Sequence, residues 1–178
     1  MSLTVTQVLS DQLEHAHQNF LATLNEVTDT VANFQPSGIA NSIGSMWAHL
    51  VVSEDYFVAM IIAGGQPLVM TTWSEKTGLS EPHPMDNWAT AYPAWTKNVR
   101  IDTAQLLGYT KAVFAASEEK ISSLTPELVE EMKDMSALGS GQMSVASILD
   151  GMVIGHCHDI MGEISALKGI QGLKGYPW

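Results

Sequence analysis

The sequence predicts an all-α protein: a four-helix bundle with one long crossover between its second and third helices. Three observations lead there. Four long stretches space their apolar residues by three and four. Residues 64–100 carry Pro67, Pro82, Pro84 and Pro93, and the spacing is lost there. No stretch alternates apolar and polar residues far enough to suggest a strand, and neither a hairpin signal nor an internal repeat is visible.

The elements follow in order. Val5, Leu9, Leu13, Ala16, Phe20, Leu24 and Val27 predict a first helix from Thr4 to Thr30, closed by "FQPSG". The second helix runs from Ser42 to Ile62 and stops at Gly64-Gly65. Within the crossover, "NWATAYPAWTKN" reads as a short helix broken at Pro93. Asp102 caps a third helix that reaches Leu124. Pro126 begins the next connection, and "SALGSGQ" reads as a flexible turn. The fourth helix starts near Ser144 and ends at Gly169. In the tail "GIQGLKGYPW", the aromatic residues after Gly175 suggest docking onto the bundle.

The bulk composition narrows the function. The 178 residues suit one domain, 1–178, and 46% hydrophobic content supplies a sizeable core. Nineteen acids against eight bases give a charge of −11, which argues against nucleic acid and against an anionic membrane surface. No apolar run is expected to reach the ~18–20 residues of a membrane span. The first residues turn polar too early for a secretory signal. A lone cysteine, Cys157, excludes an internal disulfide and a Cys-rich zinc site. Cytoplasm is the default location.

The residues with chemistry sit in "GHCHDIMGEISALKG", 155–169, and on the second helix. At about 100° per residue, His156 falls in the apolar stripe with Leu149, Met152, Val153, Ile160 and Leu167. Glu163 returns to that face, Asp159 sits at its edge, Cys157 lies on the boundary and His158 points outward. On the second helix His49 lies where an apolar stripe meets Ser42, Ser45 and Ser53, as expected of a cavity-lining residue, while Glu54 and Asp55 point to water. His15 and His17 read as solvated and His83 as a loop residue. Two inward histidines on two helices leave two readings open: the start of a metal site in the bundle core, or buried neutral histidines bonded to hydroxyls or carbonyls. Cys157 has no basic neighbour to activate it and reads as a small packed residue. Trp73, Trp88 and Trp95 either line an apolar mouth or pin the crossover onto the bundle.

The run "HDIMGEISALKGIQGLKGYPW", together with "SIGSMWAHLVVSEDYF", resembles the DinB/YfiT-like superfamily, and its DinB_2-type branch most closely. The resemblance covers essentially the whole chain and implies the bundle and crossover already described. It also implies a divalent metal, zinc or nickel, held by three histidines, one on the second helix and two, four residues apart, on the fourth. His49 and His156 match the first two. The third falls at Ile160, which cannot ligate, so the implied set is His49 and His156 with a carboxylate, Glu163 or Asp159. Characterised relatives imply thiol-dependent S-transferase or hydrolase activity on small thiol adducts, and a homodimer. The alternative is a metal-free small-molecule-binding or scaffold protein that has lost catalysis.

Overall fold

Four long helical segments share one apolar core, and each owes its start to a side-chain cap. The structure, a computed structural model, describes residues 3–178, and the side chains of all of these except Asp86, Trp88 and Ala89. Helix α1, Val5–Thr23, begins at a capping box in which Thr4 and Gln7 satisfy each other's backbone N–H groups. Short α2, Asp29–Ala32, follows. Helix α3, Ile43–Asp55, starts at Ser42, whose hydroxyl accepts from the Ser45 N–H at 3.1 Å. Helix α5, Thr103–Ser122, starts at Asp102, which accepts from the Gln105 N–H at 2.9 Å. The fourth segment starts at Ser144, whose hydroxyl accepts from the Ser147 N–H at 3.1 Å, and ends in helix α8, His156–Ile170. Helix α1 packs on α5 and α8, and α3 packs on the same two from the other side.

Two segments depart from regular α geometry. Helix α3 continues as a π-helix over Tyr56–Ile62, where the Ala63 N–H reaches back five residues to the Val58 carbonyl. The last helical segment starts as α7, Val145–Ser147, widens into a π-helix over Ile148–Gly155, and only then becomes α8. Such wide turns shift the register of every residue beyond them and often accompany functional sites.

This shift corrects the face assignment on the last helix. The constant 100° step carried from Leu149 to Leu167 crosses the π segment, so the inward stripe of α8 keeps Ile160 and Leu167 but is centred toward Cys157, Met161 and Ile164 rather than on His156. Cys157 is fully buried, its thiol 3.6 Å from the Ala16 carbonyl, and not on the boundary. His156 is half-buried at the edge of the stripe, and Asp159 and Glu163 are exposed.

Helix α3 corrects a second expectation. It is enclosed by α2, α5, α8 and the crossover, so it has no wet side. Every residue from Ile43 to Asp55 is buried except His49, which is half-buried. Glu54 and Asp55 therefore lie inside. Asp55 accepts from the backbone N–H groups of Leu68 and Val69 at 2.9 and 2.8 Å and from the Tyr109 hydroxyl at 2.7 Å, tying the start of the crossover to α5. The continuous segment Ile43–Ile62 has the length and mean hydropathy to cross a membrane, against the expectation from the sequence, but 67% of its most apolar window is buried as the central core helix.

Smaller differences have local causes. Helix α1 stops at Thr23, short of Thr30, and Glu26 takes a positive φ of 68° in the turn that follows. Buried Lys168 donates to the Thr23 and Asn25 carbonyls at 2.8 Å each, satisfying acceptors that the end of α1 leaves open. Helix α4, Trp88–Asn98, runs through Pro93 unbroken. The stretch around "SALGSGQ" is a small hairpin, β1 Met132–Asp134 paired antiparallel with β2 Gln142–Ser144. Strands of three residues are too short to show alternation. The C-terminal tail touches α8 closely, since a Cβ at Gly175 would meet the Ser165 carbonyl at 2.8 Å, while Tyr176 and Trp178 stay exposed.

Candidate functional site

His49 is the one residue of α3 that opens toward the crossover, and it does not stand alone there. The crossover closes on itself through an antiparallel bridge between Leu79 and Ile101, with the Ser80 N–H donating to the Arg100 carbonyl at 2.9 Å. This closure brings two aromatic residues of α4 and a histidine of the loop over α3. His49 Nδ1 lies 3.1 Å from His83 Nε2, and the two rings are 5.3 Å apart. Tyr92 stands 4.7 Å from His49, and Trp95 meets His83 edge-on at 4.7 Å. The Trp95 indole N–H donates to the Glu81 carbonyl at 3.3 Å, which fixes the wall. From α8, the His156 ring approaches His49 edge-on at 5.0 Å.

The electrostatics keep this cluster uncharged. Burial, helped by His156 and His83, pulls the His49 pKa from its ordinary 6.5 to about 3. Burial takes His83 down to about 4. Burial also lowers His156, although the charges of Asp159 and Glu54 oppose it. Burial and the charge of Glu163 push the Tyr92 phenol up to about 12. Desolvation and the neighbouring Asp159 raise Glu163 in turn. Neutral imidazoles with an acidic rim result, and neutral imidazole is the form that binds a metal.

The sequence-predicted residues fare unevenly. His49 and His156 come together, and Ile160 is 3% exposed, packed in the core beside them. Asp159 and Glu163 reach the cluster only through their charge. Trp95 belongs to the wall, Trp73 packs on Tyr109 and over Gly108 of α5, and the side chain of Trp88 lies outside the described residues. His83, read as a loop residue, is in the cluster, and Tyr92 was not foreseen. The only trace of His83 in the sequence is "EPHPMD", two prolines that stiffen the backbone around it.

The histidine triad that the sequence resemblance implies is incomplete in this chain, because the buried hydrocarbon side chain of Ile160 stands at its third position. The residues present do fit a metal in part. Two nitrogens 3.1 Å apart are close to the ~3.3 Å between two ligands on a tetrahedral zinc with bonds of about 2.0–2.1 Å. Among the described residues, however, no three His, Cys, Asp or Glu side chains stand as a preformed metal cage. Surface grooves of about 260 and 210 Å³ lie beside Asp55 and Lys120 and beside His17 and Glu118, and neither is lined by these histidines.

A second buried histidine lies elsewhere. His17, expected in water, is 1% exposed and stacks on Phe114 with ring centroids 3.7 Å apart. Its Nδ1 lies 2.7 Å from Glu118, and its Nε2 lies 3.0 and 3.2 Å from the two oxygens of Glu54. Burial lowers its pKa, but the charge and hydrogen bond of Glu54, with those of Glu118, outweigh this and raise it overall.

Inward histidines from two core helices, met by an aromatic crossover, define an all-α protein with a small polar site in an apolar surround. A family model described as the DinB superfamily matches residues 12–164, and the chain belongs to that superfamily. Among solved structures, a conserved protein from Enterococcus faecalis matches with a TM-score of 0.79 and 21% identity, over 96% of this chain and 99% of that one. At that identity the likeness shows the fold alone. The curated proteins contain no match.

Proposed function

We propose that this protein is a divalent-metal-dependent transferase or hydrolase acting on a small molecule of the thiol-adduct class, with its chemistry at His49 and His156. The observation that carries the reading is the neutral imidazole cluster at the one place where the surface of α3 opens. A bound zinc or nickel ion supplies Lewis acidity that lowers the pKa of a thiol or water held beside it. The protein's own groups frame that chemistry. Tyr92 stays protonated up to about pH 12 and donates a hydrogen bond to a bound substrate oxygen or sulfur. Glu163, with its raised pKa, stands at the rim as a proton acceptor, and Asp159 beside it keeps that pKa up. Trp95 and Tyr92 exclude water from one side.

The experiment is metal analysis of the purified protein. Bound zinc or nickel that is lost in His49→Ala and His156→Ala but kept in His158→Ala supports the reading. A protein that takes up no added metal, and whose melting ignores chelators, overturns it. Ile160 favours the second reading, a metal-free binding or scaffold protein, because its buried side chain occupies the position of a ligand.

A further inference from the structure

We propose that the groove between the π segment Tyr56–Ile62 and α5 is a second ligand site, which takes a short aliphatic monocarboxylate. The site needs no metal and shares no residue with the histidine cluster, so it stands or falls independently of the reading above.

The groove opens where two helical segments face each other across small side chains. Val58, Ala59 and Ala63 line one wall, Val113 and Ala116 the other, and Leu68 of the crossover lies beside them. Neighbouring helices ordinarily fill such a space to crystal-like density, whereas here about 260 Å³ stays open. The open apolar walls forfeit dispersion contacts that a slim aliphatic chain restores. The charged groups stand at the two ends. Asp55 is bonded to the Tyr109 hydroxyl, which marks the end near Val113, and it also accepts from the Leu68 and Val69 N–H groups. Its carboxylate is thus already satisfied within the protein. Lys120 marks the other end, two turns on from Val113 or about 10 Å along α5. It is half-buried, and among the described residues its ammonium makes no ion pair, in a chain with 19 acids and 8 bases. Ser117, one turn before it, brings a hydroxyl-bearing side chain to the same stripe of α5.

That order of groups selects the ligand. A carboxylate pairs with Lys120 and accepts from Ser117, and its chain lies on Val58, Ala59, Leu68, Val113 and Ala116. The far end of the chain must be uncharged, because a second carboxylate would meet Asp55. A cationic ligand is disfavoured at both ends. It meets like charge at Lys120, and Asp55, with its three donors, has little left to offer it.

The test titrates sodium pentanoate into the intact chain, read by calorimetry and by amide NMR shifts. Wild type is compared with Lys120→Met, which keeps the stem and removes the charge, with Ala116→Leu, and with Lys111→Met as a control lysine on the same helix. Ala116 is exposed, so a leucine there fills the groove without crowding the core, and the melting of each variant checks that it is folded. The expected result is saturable binding of pentanoate to wild type, with shifts over residues 58–68 and 113–120. Lys120→Met weakens binding about tenfold or more, Ala116→Leu abolishes it, and Lys111→Met leaves it unchanged. Affinity rises by up to about fourfold for each methylene from acetate to pentanoate, the factor that burial of one methylene supplies. Pentanol, which has the chain without the charge, and glutarate, which carries a second one, both bind at least about tenfold more weakly than pentanoate. No saturable binding to wild type overturns the proposal, as do shifts confined to other parts of the molecule. Binding that survives Ala116→Leu removes the groove from it, and binding unchanged in folded Lys120→Met overturns the assignment of a carboxylate.

Discussion

The protein buries histidine in two places, and their neighbours give the two sites opposite character. His17 sits between Glu54 and Glu118 and is held toward its charged form. His49 sits among His83, His156, Tyr92 and Trp95 and is held neutral. Burial alone would neutralise both, so what decides is whether carboxylates or rings surround the imidazole. The consequence is a division of labour. His17 has a partner for each ring nitrogen and joins α1 to α3 and α5, which is a structural clamp. The His49 cluster leaves nitrogen lone pairs unspent, which is what a ligand requires.

The largest expected effect tests the clamp. In His17→Leu the Glu54 carboxylate stays buried without its counter-charge, and stability falls by about 3–5 kcal/mol. Glu54→Gln introduced into that variant recovers part of the loss, because the stranded charge is gone. Urea unfolding with an unchanged m-value checks both steps. Cys157 provides a second gauge. Its thiol is fully buried against the Ala16 carbonyl, and burial with the charge of Glu54 raises its pKa, so native labelling by a thiol reagent requires the α1–α8 contact to open. His17→Leu accelerates that labelling strongly. A variant as stable and as slowly labelled as wild type would show that the clamp is ornamental.

The next effect is a pH dependence of opposite sign at the two sites. The native pKa of His17 is raised above 6.5, so its stabilisation is complete below that pH and fades as pH rises through the native value. The native pKa values of His49 and His83 are lowered to about 3 and about 4, so the unfolded chain takes up protons first as pH falls. Their contribution is complete above pH 6.5 and is lost on the way down to those values. Melting of the metal-stripped protein between pH 4 and pH 9 separates the two. His17→Leu flattens the alkaline limb, and His49→Phe removes on the order of 1–2 kcal/mol from the acid-side loss. Identical profiles for the two variants would erase the distinction between the sites.

The same comparison shows what was legible in the sequence. The long helices and their caps at Ser42, Asp102 and Ser144 were readable because they depend on local spacing and a single side-chain oxygen. The approach of His49 to His156 was also readable, the first from a mixed face and both from the resemblance. The clamp was not, because His17 and Glu118 lie 101 positions apart and α3 is enclosed on all sides. Face arithmetic supposes that every helix has a wet side and a constant turn, and α3 lacks the first while the π segments break the second. His83 was hidden for a different reason. No periodicity operates in a proline-rich crossover, so a residue there acquires a place only once the loop is closed by the Leu79–Ile101 bridge and anchored through Trp95.

The smallest expected effect is the most telling about function. His49→Phe and His83→Phe exchange a neutral ring for an apolar ring of similar size in a half-buried, aromatic surround. Little electrostatic energy is lost, since neither imidazole is charged above pH 6.5, and the contacts removed are neutral and few: Nδ1 to Nε2 at 3.1 Å and, for His49, Nδ1 to the Ser53 hydroxyl at 3.4 Å. In the metal-stripped protein at pH 8 each substitution therefore changes stability by less than about 1 kcal/mol, and removing the poorly satisfied His83 nitrogen makes His83→Phe neutral or slightly stabilising. The measurement is urea unfolding of the stripped variants beside His17→Leu under the same conditions. Residues that stabilise the fold so little are better explained by what they bind. A loss at His49 or His83 as large as that at His17 would turn this cluster into a second clamp and remove the argument for a ligand there.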